Sequence, residues 1–126
     1  MSRHIIHTAK APAALGPYSQ AVRHGDLVFL SGQVAIDPVI GKLVEGGIEA
    51  QARQVFRNLR AVCQEAGSDL DGILKLTIYL VDLGNFAKVN AVMAELFTAP
   101  YPARATIGIA ALPLGAEVEV EAVLGL

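Results

Sequence analysis

The sequence lacks the features that mark disulfide-bonded, membrane-spanning or nucleic-acid-binding proteins. A single cysteine, Cys63, excludes a disulfide within the chain. The 12 acidic residues outnumber the 10 lysines and arginines, so a net charge of −2 offers no basic excess for a phosphate backbone. No apolar run approaches the roughly 20 residues of a membrane span, and residues 1–6 lack the pattern of a signal peptide. We therefore expect a cytoplasmic protein that binds neither membranes nor nucleic acid.

A metal site is not indicated either. His4 and His7 are three residues apart in a predicted strand, so their side chains point to opposite faces. His24 adjoins Gly25 in a predicted turn, and no Cys/His spacing matches a zinc site. Cys63 lies in a predicted helix beside its apolar stripe, a position typical of a small buried hydrophobe rather than a nucleophile. We expect no metal and no reactive thiol.

Apolar residues are abundant, at 53% of 126 residues, and charged residues make up only 17%. This composition predicts a single domain over residues 1–126 and either a large core or apolar surface that is covered by a second copy of the chain. A helix is predicted from residue 48 to the stop at Gly67. Its apolar residues recur every three or four positions: Ile48, Ala52, Val55, Leu59, Val62 and Ala66.

Strands are predicted on both sides of this helix. The first spans residues 26–31 and ends at Gly32, and residues 36–47 form an irregular loop. Residues 74–81 form a strand whose apolar face carries Leu74, Leu76, Ile78 and Leu80. A second helix begins at Gly84 or Asn85 and ends before Pro100, its inward positions being Phe86, Val89, Met93 and either Leu96 or Phe97. Two further strands span 104–111 and 117–124.

This order of elements predicts an α+β fold, with both helices packed on one face of a mixed sheet. The opposite face of the sheet is only partly polar. It carries Thr77, Tyr79, Val81 and Val123. We infer that a second subunit packs against this face.

Arg104 is the most distinctive candidate for a functional residue. It leads into an apolar strand after the segment 100–103, and a guanidinium that is always charged needs a partner there. Two interpretations stay open from the pattern alone. Arg104 forms either a structural ion pair with an acidic residue or a binding site for the carboxylate of a substrate.

Three other segments carry weaker signals. Acidic and apolar residues alternate in residues 117–122, which favours a solvated acidic face, although one of the three glutamates could be placed for function: Glu117, Glu119 and Glu121. Tyr18 follows Gly-Pro in a loop. Gly32, after Ser31, either lets a ligand approach the backbone closely or serves a turn.

Four of these segments together resemble the RidA (YjgF-type) family, the reactive-intermediate deaminases. They are residues 16–21 (Gly-Pro-Tyr-Ser-Gln-Ala), 29–33 (Phe-Leu-Ser-Gly-Gln), 102–106 (Pro-Ala-Arg-Ala-Thr) and 118–122 (Val-Glu-Val-Glu-Ala), in the order and spacing of the family. The resemblance implies a chorismate-mutase-like fold and a homotrimer. In such a trimer the sheets form a central barrel and the active sites lie between subunits.

The resemblance also implies an activity: hydrolysis of 2-imino acids such as 2-iminobutanoate and 2-iminopropanoate, or of their enamine tautomers, to 2-oxo acids and ammonia without a cofactor. It assigns the substrate carboxylate to Arg104 and the positioning or activation of water to Glu119. Tyr18 is implied to hydrogen-bond the nitrogen or the water.

The same resemblance implies that the pocket is lined by Ser31, by the backbone around Gly32 and by Thr106. Many relatives carry cysteine where this chain has Thr106, so thiol chemistry is not expected there. Two other functions are weighed beside the deaminase. One is a non-catalytic module that binds a small carboxylate in the same cleft, and the other is the endoribonuclease or translation-inhibitor activity attributed to some relatives.

Overall fold

The computed structural model of the chain describes residues 3–126, and this part contains eight strands and two α-helices. The helices are α1 (Gly47–Glu65) and α2 (Phe86–Leu96). The strands are β1 (His4–Ile6), β2 (Ala21–His24), β3 (Leu27–Gln33), β4 (Ile36–Asp37), β5 (Lys42–Leu43), β6 (Ile73–Leu80), β7 (Ala103–Gly108) and β8 (Val118–Gly125). None of the helices in this part is long and apolar enough to cross a membrane.

Six of the strands form one mixed sheet in the order β1-β2-β3-β8-β6-β7. Strands β6 and β7 run parallel and the other neighbours run antiparallel. A parallel pair needs a crossover connection, and α2 supplies it. Strand β7 therefore lies at one edge of the sheet, with α2 next to it. The short strands β4 and β5 form a separate hairpin within the segment 36–47, which the sequence predicts as irregular.

Both helices cover one face of the sheet, as the sequence predicts. Side chains at alternate positions of β3, β6 and β8 are fully buried on this face, among them Val28, Leu76, Ile78, Val118 and Val120. Removing such a side chain from water stabilises the fold by roughly 1.5–3 kcal/mol. The predicted α+β architecture is thus confirmed. Its core lies between the sheet and the two helices.

Helix α1 follows the predicted apolar period closely. Val55, Leu59 and Val62 are fully buried against the sheet, and the helix ends two residues before Gly67, which adopts a left-handed φ of 90°. Cys63 is buried among these residues, as predicted for a small hydrophobe. Burial, with the negative charge of Asp69, raises the pKa of the Cys63 thiol to about 12, so the reactive thiolate is scarce at neutral pH.

Two predicted strand ends and one predicted face are wrong. Strand β3 continues through Gly32 to Gln33, because a bulge accommodates the extra residue. In β6 the register shifts between Ile73 and Lys75, so Ile73 is buried while Leu74 is 52% exposed. Strand β7 ends at Gly108 rather than at residue 111. In each case the cause is the pairing with a neighbouring strand. This pairing cannot be predicted from the pattern of apolar residues in one strand.

The face of the sheet opposite the helices is left uncovered in the single chain. Its exposed apolar side chains include Leu27 (39%), Phe29 (49%) and Ile107 (44%). Tyr79 and Glu121 lie on the same face, between these residues. This mixture of apolar and polar side chains agrees with the partly polar face that the sequence predicts.

Candidate active site

Arg104 lies on β7 with its side chain against α2. It pairs with the buried Leu76 of β6, and this register directs it to the helix-covered face of the sheet. The guanidinium donates a hydrogen bond from Nη1 to Oδ1 of Asn90, and the same atom is 3.6 Å from Sδ of Met93. Its Cζ lies 5.2 Å from the ring centroid of Phe86, which gives a cation–π contact. Three side chains of α2 thus hold the arginine in place.

A cleft of about 680 Å³ opens beside this guanidinium, between α2 and the chain that leads into β7. Most of its wall is apolar. It is lined by Ala87, Asn90, Ala91, Met93, Ala94, Tyr101, Pro102 and Arg104. The volume is in the range of small-molecule sites, and an apolar wall with one charged group is their usual composition.

The partners of Arg104 are all neutral. Within residues 3–126 the ion pairs are Arg53–Glu95 and Arg60–Asp69, and no carboxylate lies within ion-pair distance of Arg104. The structure therefore favours the second of the two interpretations of this residue. A guanidinium without an internal carboxylate, at the wall of a cleft, is suited to bind the carboxylate of a small ligand.

Thr106 follows two residues later on the same face of β7 as Arg104. Its Oγ1 is buried and makes no hydrogen bond within the described part of the chain. A buried hydroxyl without a partner is costly and rare. This hydroxyl is therefore a second group, beside the guanidinium, with bonding capacity that the single chain does not use.

Glu119 lies on the opposite, uncovered face of the sheet. It pairs with Tyr79, while its neighbours Val118 and Val120 are fully buried on the helix side. The carboxyl of Glu119 is partly buried and packs against Gly32 of β3. Burial, followed by the negative charge of Glu121, raises the pKa of Glu119. Glu119 is thus a stronger base than a fully solvated glutamate.

Ser31 precedes Gly32 on β3 and is bonded to the loop that carries Tyr18. Ser31 donates a hydrogen bond of 2.6 Å from Oγ to the carbonyl of Ser19, and its N–H donates to the carbonyl of Gln20 at 3.0 Å. These two bonds attach the loop that carries Tyr18 to β3. Tyr18 itself is 55% exposed, so its ring is free to contact a ligand or another chain.

The predicted site residues therefore form two groups in one chain. The arginine group, Arg104 and Thr106, faces α2 at the edge of the sheet. The glutamate group is centred on Glu119, which lies on the uncovered face beyond strand β6 and contacts Gly32. It also includes Ser31, next to Gly32 on β3, and Tyr18, on the loop to which Ser31 is bonded. A single chain does not bring the two groups together.

Sequence reasoning missed Asn90, the hydrogen-bond acceptor of Arg104. A signal was present, because Asn90 lies four residues after Phe86 and three before Met93, so helical spacing places it on the same side of α2 as both. Within residues 3–126, His, Cys, Asp and Glu side chains form no group of three or more that could hold a metal ion.

These features define an α+β protein with a mixed six-stranded sheet, two helices on one face and an arginine at the wall of an open cleft. The sequence profile of the family described as Endoribonuclease L-PSP matches residues 8–124. The chain thus belongs to this family, which includes the RidA (YjgF) proteins.

Three relatives illustrate the similarity. The RutC family protein y4sK of Sinorhizobium fredii is 50% identical over 96% of each chain. The 2-iminobutanoate/2-iminopropanoate deaminase of Capra hircus is 46% identical, over 96% of this chain and 88% of its own length. The crystal structure of RidA from the Antarctic bacterium Psychrobacter sp. PAMC 21119 superposes with a TM-score of 0.95 at 47% identity, and the match covers 98% of this chain and 99% of that one.

Proposed function

We propose that this chain hydrolyses 2-imino acids such as 2-iminobutanoate and 2-iminopropanoate, or their enamine tautomers, to 2-oxo acids and ammonia. The observation that carries the proposal is the guanidinium of Arg104, which is held at the wall of an apolar cleft by neutral partners only. The 46% identity with a mammalian protein named for this activity supports it. We place the enzyme in the cytoplasm.

Substrate binding begins with the carboxylate that every 2-imino acid carries. The planar fork of Arg104 can donate two parallel hydrogen bonds to it, which also fixes the orientation of the adjoining C=N bond. Phe86 and Asn90 keep the guanidinium from rotating away. The unpaired hydroxyl of Thr106 supplies one more hydrogen bond on the same wall.

Hydrolysis then requires one water molecule and one base. The imine carbon is electrophilic, so a water held beside it adds to the C=N bond, and Glu119 accepts the proton that the water loses. Return of this proton to nitrogen gives a carbinolamine, and transfer of its hydroxyl proton to nitrogen then lets ammonia leave as the C–N bond breaks and the carbonyl forms. Tyr18 hydrogen-bonds the nitrogen or the water. Orientation and the relay of the two water protons to nitrogen suffice, and the proposed steps use no cofactor.

This mechanism needs the two groups of residues to meet, and we propose that they meet between copies of the chain. Arg104 and Glu119 lie on opposite faces of one sheet, so neither can reach a substrate bound by the other within a single chain. A homotrimer in which the uncovered sheet faces form the inside of a barrel would also bury Leu27, Phe29 and Ile107. Each site would then take its arginine group from one subunit and its glutamate group from the next.

The proposal is tested by generating 2-iminobutanoate in situ and following its disappearance with and without the protein. For Arg104→Ala we expect kcat/KM to fall about 100-fold, because two charge-assisted hydrogen bonds of about 1.5 kcal/mol each are lost. Arg53→Ala is the matched control, since Arg53 is an exposed arginine paired with Glu95 away from the cleft. We expect this control to retain wild-type activity.

The alternatives predict different results. A non-catalytic carboxylate-binding module would be stabilised against heat by 2-oxobutanoate, while imine turnover stayed at the background rate. An endoribonuclease would degrade RNA even as a highly purified protein, and RNA left intact would count against this activity. Background turnover with the wild-type protein, or an Arg104→Ala variant as active as wild type, would rule out the deaminase.

A further inference from the structure

Gly32 lies in direct contact with the carboxyl group of Glu119. A Cβ atom at position 32 would stand 3.0 Å from both Cδ and Oε1 of Glu119 and 3.2 Å from its Cγ. Carbon atoms in favourable contact are about 3.5–4.0 Å apart. A side chain at position 32 would therefore have to displace the carboxyl group of Glu119 from its present place.

The backbone at Gly32 does not itself require glycine. Seven glycines of residues 3–126 have a positive φ, and Gly32 is not one of them. Other residues can therefore adopt the backbone conformation at position 32. What glycine provides at this position is space. The bulge of β3 contributes to this, because Ser31 and Gly32 together stand opposite a single residue of β8, Glu121. It brings the backbone of Gly32 over the neighbouring glutamate.

We propose that Gly32 is a positioning residue for Glu119: by having no side chain, it fixes the place from which the carboxylate accepts a proton. The inference rests on the proposed function, in which Glu119 is the base. The carboxyl group is the far end of a flexible side chain, so a methyl group at position 32 displaces it without disrupting the sheet. The substitution thus acts on the base and leaves Arg104, on the other face of the sheet, in place.

The test is Gly32→Ala in the imine hydrolysis assay. We expect kcat to fall about 10- to 100-fold, which is the range for a catalytic group displaced by up to about 1 Å, while KM changes less than threefold. Gly84→Ala is the matched control. A Cβ at Gly84 also meets a carboxylate oxygen at 3.0 Å, that of Asp82, and this pair lies outside the glutamate group. We expect Gly84→Ala to keep the wild-type kcat.

Rescue by a shorter carboxylate separates positioning from a general loss of structure. Glu119→Asp alone should lower kcat, because the carboxylate is withdrawn by one methylene. In the Gly32→Ala background the same change should raise kcat, since the shorter side chain fits beside the new methyl group. An unchanged kcat in Gly32→Ala, or a double variant that is slower than Gly32→Ala, overturns the inference.

Failure of the proposed function is recognised separately. If Glu119→Gln turns over the imine as fast as wild type, Glu119 is not the base and the proposal for Gly32 falls with it. If Glu119→Gln is inactive and Gly32→Ala is fully active, only the proposal for Gly32 falls. Thermal midpoints provide a readout independent of activity: any destabilisation by Gly32→Ala should vanish in the Glu119→Ala background, and its persistence would contradict the contact.

Discussion

At the scale of single residues, the main feature of the site is a positive charge held by neutral groups. An amide oxygen, a thioether and an aromatic ring surround the guanidinium of Arg104. None of them cancels its charge, so an incoming carboxylate does not have to displace an internal ion pair. Asn90 is the partner that can be given a negative charge with the least change of shape, because aspartate is nearly the same size as asparagine.

Replacing Asn90 by aspartate should convert this open guanidinium into an internal ion pair. For Asn90→Asp we expect the KM for 2-iminobutanoate to rise up to about fivefold, because the new carboxylate competes for the guanidinium and an exposed ion pair is worth up to about 1 kcal/mol. Asn90→Ala, which removes the hydrogen bond without adding charge, should raise KM less. Steady-state kinetics of the two variants decide the matter, and an Asn90→Asp variant with the lower KM of the two would contradict it.

Glu119 should destabilise the fold at neutral pH while serving the reaction. The pKa of Glu119 is raised in the folded state, so the folded state binds a proton more readily than the unfolded state. The free energy of unfolding therefore falls as the pH rises from the ordinary glutamate pKa through the raised one. For Glu119→Gln we expect a higher thermal midpoint than wild type at pH 7, no difference well below the ordinary glutamate pKa of 4.5, and loss of turnover. Melting curves across this pH range test it, and a lower midpoint at pH 7 would refute it.

At the scale of elements, buried amide side chains attach the loops of the site to the sheet. Gln20 is 2% exposed and donates from Nε2 to the carbonyls of Thr8 and Pro12 at 3.0 and 2.8 Å. Its Oε1 accepts from the N–H of Thr8 at 2.7 Å. One side chain thus holds the segment 8–12 beside the loop that carries Tyr18, so the order of this loop depends on it.

Gln20→Glu keeps the shape of this side chain and removes its ability to donate. A buried carboxylate would face two carbonyl oxygens, and we expect a loss of about 2–4 kcal/mol in the free energy of unfolding. Hydrogen exchange should become faster in residues 8–20 than in α1. Gln64→Glu, which places a carboxylate beside Asp69 at an exposed position, is the control for exchange and should leave residues 8–20 unchanged. Unchanged exchange in residues 8–20 would show that Gln20 does not hold the loop.

The elements also show how far the sequence could predict the fold and the site. The apolar period determined α1 and the alternation determined which face each strand buries, because both are properties of a short segment. The same alternation places Leu74 on the wrong face and ends a strand at Gly32, because a bulge depends on the partner strand. The alternation also predicts which residues of β7, and which of β8, share a face. It does not predict that Arg104 and Glu119 are separated, because their separation depends on the order of the strands in the sheet.

At the scale of the whole molecule, one chain carries two incomplete halves of the proposed site. Helix α2 and β7 present the arginine group at one edge, and β3 and β8 present the glutamate group on the uncovered face. The exposed Phe29 and Leu27 lie further along the same uncovered face, so a subunit that covers the whole face would also bring its own residues next to Glu119. The same contact would bury apolar surface and complete the chemistry.

This arrangement predicts that two inactive variants restore activity when their subunits are mixed. Arg104→Ala chains keep the glutamate group and Glu119→Gln chains keep the arginine group, so a contact between one of each contains an intact site. Random assembly from equal amounts gives about a quarter of all sites in this form, and we expect about a quarter of the wild-type rate.

The subunits are mixed in denaturant, refolded together and assayed, and light scattering measures the assembly mass. Each variant refolded alone is the control. A site contained within one chain would give no recovery, because every chain in the mixture lacks one of the two residues.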